Sequence, residues 1–425
     1  MGSGRHARPV RPVVVVLVTL ALTLVVLVLV LPHLWYGLHD VSDVPVYQAY
    51  ADQIGNGLSP YLDFDVEYPP LAVPFFRLPG VRLPLETYMA RFSLSMGVAT
   101  LLGGAAVALA ACTLWPRGRR AYAVGGLYAL AVALTGAIIV NRYDAVVALV
   151  VAAFLLCLVR GWHTAAAVAL GLGFALKITP AALLPLVLLL AGPPRRWLWP
   201  ALGFGLAAFA GFMPYLATAP RGVWRVFQYH LERPLQIESA LGAPLLLAHV
   251  LGLSTAQVGH SHGSHQLVAA GADLAADLAG VLTFGALVVV YVVVLGRRAR
   301  LRAAPDELPL AVLALLLALM AFGKVLSPQY FIWVLPALAL VAVREPLLAA
   351  LGAVVLALTH LEFPALYWDL VDLWAPVVWL VVVRNVLLLA LFATVTLRLA
   401  APRGPAGTVS GSPATVAGVG PPRPD

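Results

Sequence analysis

Carboxylates crowd one short stretch of this 425-residue chain: Asp40, Asp43, Asp63, Asp65 and Glu67 lie within residues 40–67, although only 11% of all residues are charged. Such groups can take a proton from a hydroxyl, hold a cation, or accept hydrogen bonds from a sugar. Asp43, in Ser-Asp-Val-Pro-Val-Tyr, precedes residues at helical spacing. It can cap that helix, or act as a general base if partial burial raises its pKa. Asp63, Asp65 and Glu67 alternate, so an extended backbone would project them to one side. That pattern reads as a solvated loop, or as acids satisfied by sugar hydroxyls or a divalent cation. The rigid turn Tyr68-Pro69-Pro70 follows.

The cationic candidates are few and separate. Lys177 and Lys324 are the only lysines, both in apolar surroundings, within Ala-Leu-Lys-Ile-Thr-Pro and Gly-Lys-Val-Leu-Ser-Pro-Gln-Tyr. Ionisable groups at membrane depth are costly, so each either snorkels to the interface or meets a phosphate. Asn141-Arg142-Tyr143-Asp144 reads as a tight polar turn, or as Arg142 and Asp144 lining one pocket. In the polar run from Gln228 to Ser239, Arg233 could hold phosphate, while Gln236 and Glu238 could hold sugar hydroxyls. His260, His262 and His265 have a spacing that could bind a metal, but their Gly/Ser setting favours a floppy polar loop. Arg384, near the middle of an apolar run, pairs inside the bundle or snorkels.

The elements that must position these groups are membrane helices. The chain is 62% hydrophobic, well beyond a soluble domain, and several runs reach the ~20 residues that cross a bilayer core. About twelve spans are expected, at 12–32, 91–114, 121–140, 144–160, 164–177, 179–192, 197–217, 274–296, 308–323, 329–343, 347–360 and 375–400. The fifth and sixth, joined through Lys177-Ile178-Thr179-Pro180, could be one broken helix or a re-entrant pair. Val44 to Ile54, stopped by Gly55-Asn56-Gly57, reads as a helix along the membrane surface. The result is one all-α polytopic domain over residues 1–400, with outer loops 33–90 and 218–273. A Pro/Gly/Ser-rich segment, 401–425, reads as a disordered cytoplasmic tail. Cys112 and Cys157 lie in apolar runs and read as small buried hydrophobes.

Sidedness comes from the basic residues. With the N-terminus inside, the inner loops hold most of the 27 Lys and Arg, which supports a plasma-membrane protein with both termini cytoplasmic. The formal charge of +8 then reports inner loops rather than nucleic-acid binding. Only Asp306, Glu307, Glu345 and Asp425 of the 19 acids fall inside, so the outer face is the candidate active site.

Asp43-Val-Pro-Val-Tyr47, Gly57-x-x-Pro-Tyr61 and Glu67-Tyr68-Pro69-Pro70-Leu71-Ala72 together resemble the first outer loop of glycosyltransferase family 87. These are GT-C-type, polyprenol-phosphate-mannose-dependent α-mannosyltransferases of actinobacteria. Asn141 to Asp144, Ala175 to Pro180 and Lys324 to Tyr330 extend the resemblance. It implies a polyprenyl-phosphate sugar donor, a glycolipid or glycan acceptor in the cell envelope, and a GT-C-type bundle with its site in outer-face loops. It also implies an acid in the first outer loop as catalytic base, which Asp43 matches best and for which Asp40 competes. Lys324, Arg233, Lys177 and Arg142 are then the donor-phosphate candidates. Glu67, Tyr68, Asp144, Gln236, Glu238, Gln329 and Tyr330 are the sugar and acceptor candidates. Some members carry a histidine where this chain has Gln329-Tyr330, so no histidine role carries over there. A phosphate ester leaves readily, so no cofactor is required and no metal is expected. The competing class is a transporter or flippase of lipid-linked sugars, which would place its ionisable sites near the bilayer midplane with repeat symmetry.

Overall fold

The computed structural model describes residues 10–30, 33–34, 42–116 and 118–402. Asp40 and residues 403–425, most of the expected tail, lie outside the described residues. The chain begins with α1 (Val10–Val30), α2 (Val44–Gly55), the short α3 (Val73–Arg77) and α4 (Leu85–Leu114). Next come α5 (Arg119–Thr135), α6 (Ile138–Asn141), α7 (Asp144–Val159), α8 (His163–Leu176) and α9 (Leu184–Ala191). α10 (Leu198–Leu216), α11 (Pro220–Glu232) and α12 (Ala243–Val250) lead into a hairpin of β1 (Ala256–Ser261) and β2 (Ser264–Ala269). α13 (Ala272–Ala303), α14 (Leu308–Phe322), α15 (Phe331–Ala342), α16 (Pro346–His360), α17 (Tyr367–Val371) and α18 (Ala375–Ala400) complete it. This is the expected all-α polytopic bundle, with one small hairpin added.

All twelve expected apolar segments contain helix, but they are not equal. Among the described residues, seven helices are long and apolar enough to cross a membrane by themselves: Arg11–Val30, Leu85–Leu114, Pro194–Leu216, Ala272–Ala303, Pro305–Phe322, Pro346–Ala365 and Ala375–Ala400. The apolar stretches at Asp144–Val159, His163–Leu176, Thr179–Ala191 and Pro328–Ala342 are shorter. At 1.5 Å per residue the 14 residues of α8 span only about 21 Å, against roughly 30 Å of hydrocarbon. Seven full-length spans, rather than twelve, therefore meet the length requirement alone. Residue type explains the layering. α14 and α15 are apolar all round and buried as the centre of the bundle, whereas α1 and α13 expose one apolar side.

The short helices place the site. α8 and α9 form a helical hairpin, not one broken helix: His163 and Ala191, their outer ends, share one cavity, and their joint at Lys177 enters another at the opposite end. Because the chain turns back after a short helix, the joint is recessed into the bundle. Above it gather α2 and α3, then α11, α12 and the hairpin, then residues 323–330 and 361–374. In α2 the helix expected at Val44–Ile54 is present, and it buries Val44, Tyr47 and Ala51.

The histidine segment corrects the sequence reading. It is not a floppy loop but a paired hairpin, with His260 opposite His265 and Ser261 opposite Ser264. The connecting His262 and Gly263 both have positive φ, 49° and 61°, as a two-residue hairpin turn requires. The 235–237 segment stitches onto it: Leu267 N donates to Leu235 O at 2.8 Å and Ile237 N to His265 O at 3.3 Å.

Candidate active site

The first wall is the start of α2. Asp43 occupies the N-cap position, yet its side chain makes no capping bond. Ser42 Oγ instead accepts from Val44 N at 3.2 Å. The capping alternative for Asp43 is therefore not realised, and its carboxylate is left to pair with Arg142 Nε at 3.2 Å. The Arg142 side chain is buried, while that of Asp43 is about one-third exposed to the cavity. Beneath them lies an aromatic floor in which Tyr68 meets Tyr143 edge-on at 5.1 Å and Tyr47 stacks on Phe76 at 4.6 Å.

The second wall is the break between α8 and α9. Lys177 Nζ donates to Asp144 Oδ1 at 2.7 Å, and Trp333 Nε1 donates to the same oxygen at 2.7 Å. The ammonium also lies 5.2, 5.0 and 4.9 Å from the ring centres of Tyr143, Tyr330 and Trp333. One carboxylate and three rings offset much of the cost of removing this cation from water.

The third wall is α11 and the segment after it. Gly222 packs directly on the backbone of Tyr61, where any Cβ would collide with the Tyr61 carbonyl oxygen. This close approach places Tyr229, His230 and Arg233 against the first loop. Tyr229 OH donates to Glu67 Oε2, and Arg233 Nη2 donates to Ser264 Oγ of the hairpin at 2.8 Å. Gln236 joins three strands of chain: its N donates to Lys324 O at 3.0 Å, its Oε1 accepts from Leu326 N at 2.9 Å, and its Nε2 donates to Glu238. Behind it Arg384 is fully buried, not snorkelling, and contacts Glu362 at 3.4 Å and Glu238 O at 2.9 Å.

These walls enclose a cavity of about 250 Å³. Asp43, Glu67, Tyr68, Arg142, Lys177, Arg233, Gln236, Glu238, Gln329 and Tyr330 all line it. Two sequence candidates do not. Asp144 is wholly buried behind Lys177, and Lys324 stands outside, its Nζ donating to Leu231 O at 2.6 Å. Asp63 and Asp65 also stay outside. Residues 61–63 turn, with Pro60 bridged to Phe64, so the alternation does not translate into one shared side. Asp63 accepts from Ser59 N at 2.7 Å and Asp65 pairs with Arg225 on the surface at 2.8 Å. The three histidines do not converge either. His260 and His265 lie 5.1 Å apart, while His262 packs on Tyr229. Among the described residues no group of three or more His, Cys, Asp or Glu side chains is placed to hold a metal ion.

The cavity also contains residues with no assigned part in the sequence reading, Tyr143, Tyr229, His230, Tyr367 and Trp368, and the three hairpin histidines line it too. The His262-Gly263 pair between alternating residues was the available signal for the hairpin. Nothing local marks Tyr367 and Trp368, which α17 brings in from far along the chain.

Burial tunes the cavity's acids and bases. It pushes Glu67 above the usual carboxylate range, and Asp43 adds to this while the Tyr229 hydrogen bond opposes it. Glu238 is held well above that range by burial and by the neighbouring Glu362, against the pull of Arg384. His230 is pushed down to about 4 by burial, then by Arg233 and Lys177, so it is neutral near pH 7. Among the described residues, three buried polar atoms of the lining residues have no hydrogen-bond partner: Arg142 Nε, which is ion-paired with Asp43, Arg233 Nε and Glu238 Oε1. Arg142 and Lys177 each have an acidic partner, whereas Arg233 forms no ion pair among the described residues. The cavity thus offers a free cation to an anion, acceptor oxygens to hydroxyls, and Asp43 to a proton.

A multi-pass helical bundle with such a polar cavity at one end defines the class as a polytopic membrane protein. The family model for glycosyltransferase family 87 matches residues 67–328, more than half of the chain. The chain belongs to glycosyltransferase family 87 and is a membrane glycosyltransferase. The matched stretch contains Glu67, Arg142, Lys177, Arg233, Gln236, Glu238 and Lys324, and starts after Asp43. No curated protein matches. Among solved structures, ArnT from Cupriavidus metallidurans bound to undecaprenyl phosphate is similar at 16% identity, covering 89% of this chain and 76% of that chain with a TM-score of 0.47. ArnT from the same organism in the apo state is similar at 15% identity, with the same coverages and a TM-score of 0.46.

Proposed function

We propose that this glycosyltransferase moves a sugar, mannose, from a polyprenyl-phosphate donor to a hydroxyl of a cell-envelope glycolipid or glycan, with inversion. The observation that carries the reading is the presence, in one cavity, of a carboxylate withdrawn from helix capping and a part-buried arginine that forms no ion pair among the described residues. Asp43 accepts the proton of the acceptor hydroxyl as that oxygen attacks the anomeric carbon. The bond from that carbon to the phosphate oxygen breaks, and its electron pair leaves with the phosphate. Arg233, with Lys177 and Arg142, stabilises the charge that develops there. Glu238, Gln236, Glu67 and Tyr68 meet sugar hydroxyls and the sugar face. Asp144 orients Lys177, and Lys324 fixes the segment that carries Arg233 and Gln236 rather than meeting the phosphate itself. For the prenyl tail there is an adjacent apolar groove of about 300 Å³ lined by Phe174, Phe212, Trp224 and Phe227. It shares α11 with the cavity, and Phe174 of α8 lies one turn before Lys177. In this reading the cavity faces outward and both termini are cytoplasmic.

The test is sugar transfer by purified protein in detergent, from radiolabelled polyprenyl-phosphate mannose to membrane lipids. Transfer without a sealed compartment is expected and separates an enzyme from a flippase. The Asp43→Asn variant should bind donor and fold normally but lose transfer, a general base contributing about 10²–10⁴-fold. Full activity in that variant would remove Asp43 as the base.

A further inference from the structure

At the end of the bundle away from the active site, three inter-helix turns enclose a second cavity of about 1010 Å³. They are the turns from α7 to α8, from α9 to α10 and from α13 to α14. Arg195, Arg196, Arg302 and His163 line this cavity, Trp162 and Trp199 frame it, and no Asp or Glu is among the lining residues. Several other arginines at this end have acidic partners: Arg300 with Glu307, Arg344 with Asp306 and Arg398 with Glu345. Arg302 is occupied in closing the end of α9, donating to Leu190 O at 3.1 Å and Leu189 O at 2.5 Å. Arg195 and Arg196 sit on the exposed turn Pro194–Arg196, and neither forms an ion pair among the described residues.

We propose that this cavity seats the phosphate head group of an anionic phospholipid, held by Arg195 and Arg196. Guanidinium groups suit a phosphate because two N–H donors can meet two of its oxygens. A basic pocket between membrane helices, rimmed by tryptophan, matches the head-group level of a bilayer. Two features favour a lipid over a free anion. The cavity has apolar walls, including Leu158, Val159, Leu190 and Pro200. From Trp199, exposed apolar side chains then continue along α10 at helical spacing through Leu202, Leu206, Phe209 and Met213, a path for an acyl chain.

The experiment is native mass spectrometry of the full chain released from detergent with equimolar phosphatidylglycerol and phosphatidylcholine of matched chains. Phosphatidylglycerol should be retained roughly tenfold over phosphatidylcholine. The Arg195→Gln/Arg196→Gln variant should lose that preference, and Arg195→Lys/Arg196→Lys should keep most of it. These side chains are exposed, so the variants fold and the comparison stands. Equal retention of both lipids, or an unchanged preference in the glutamine variant, overturns the proposal. Displacement of the lipid by millimolar inorganic phosphate also overturns it, because the site then takes a free anion.

Discussion

Charge is used differently around the active-site cavity and on the outside of the same loops. In the cavity wall and directly behind it, Asp43 faces a buried Arg142, Asp144 a nearly buried Lys177, and Glu362 a fully buried Arg384. On the rim, Asp65 and Arg225 pair at 2.8 Å with both side chains at least half exposed. The distances are similar, but the consequences are not. A pair in water contributes little, whereas a buried pair costs desolvation that its attraction barely offsets. Buried pairs are therefore weak evidence for stability, and their concentration around the cavity is better explained by work done there.

That contrast can be broken at its strongest point first. Arg384→Leu leaves the buried Glu362 without its ion-pair partner and the Glu238 carbonyl with only Asn385 Nδ2 at 3.3 Å, and should destabilise the protein by about 3–5 kcal/mol. Thermal unfolding in detergent measures this, and a loss under 1 kcal/mol would put Arg384 in the same class as the rim pair. Arg233→Gln comes next. It removes the cavity cation that forms no ion pair among the described residues and should raise the donor KM by roughly 10–100-fold, the worth of a hydrogen bond to a charged group. An unchanged donor KM would move the phosphate away from this wall.

His230 tests burial by pH. Its pKa is about 4 in the folded protein, below the ordinary 6.5. Between those values the unfolded chain holds a proton that the folded protein refuses, so stability rises with pH there. Its contribution is complete above pH 6.5 and is lost as the pH falls toward 4. The gap in thermal midpoint between the parent and His230→Gln should shift over that window, and a gap that stays constant with pH contradicts it. The smallest effect belongs to the rim: Arg225→Gln should change stability by less than about 1 kcal/mol and leave transfer nearly unaltered. A large loss of transfer there would erase the distinction between the two regions.

Much of this was legible in residue types. The rarity of lysine singled out Lys177, and the Pro-flanked joint after it foretold a helix break. Asp43 and Arg142 were each conspicuous, but their pairing joins segments about a hundred residues apart, which no local pattern encodes. The solvated-loop reading of the acidic alternation holds for Asp63 and Asp65, while the shared side does not form because the chain turns at residues 61–63 instead of extending, and of the three only Glu67 reaches the cavity. Lys324 looked equivalent to Lys177 in its apolar surroundings. The structure separates them by what lies opposite: a carboxylate and three rings for one, a backbone carbonyl for the other. The hairpin was missed because polar, glycine-containing residues suggest a loop. Its order comes from pairing with residues 235–237, again a long-range effect.

Gly222 sets one dimension of the molecule that no side chain can adjust. Its contact with the Tyr61 backbone acts as a mechanical stop for α11. Tyr229, His230 and Arg233 ride on that helix or directly after it, so they would move together if the stop were thickened. A single added methyl group would meet the Tyr61 carbonyl oxygen, so either α11 or the turn at residues 61–63 would have to give way, and the spacing of the cavity walls would change with no cavity side chain replaced.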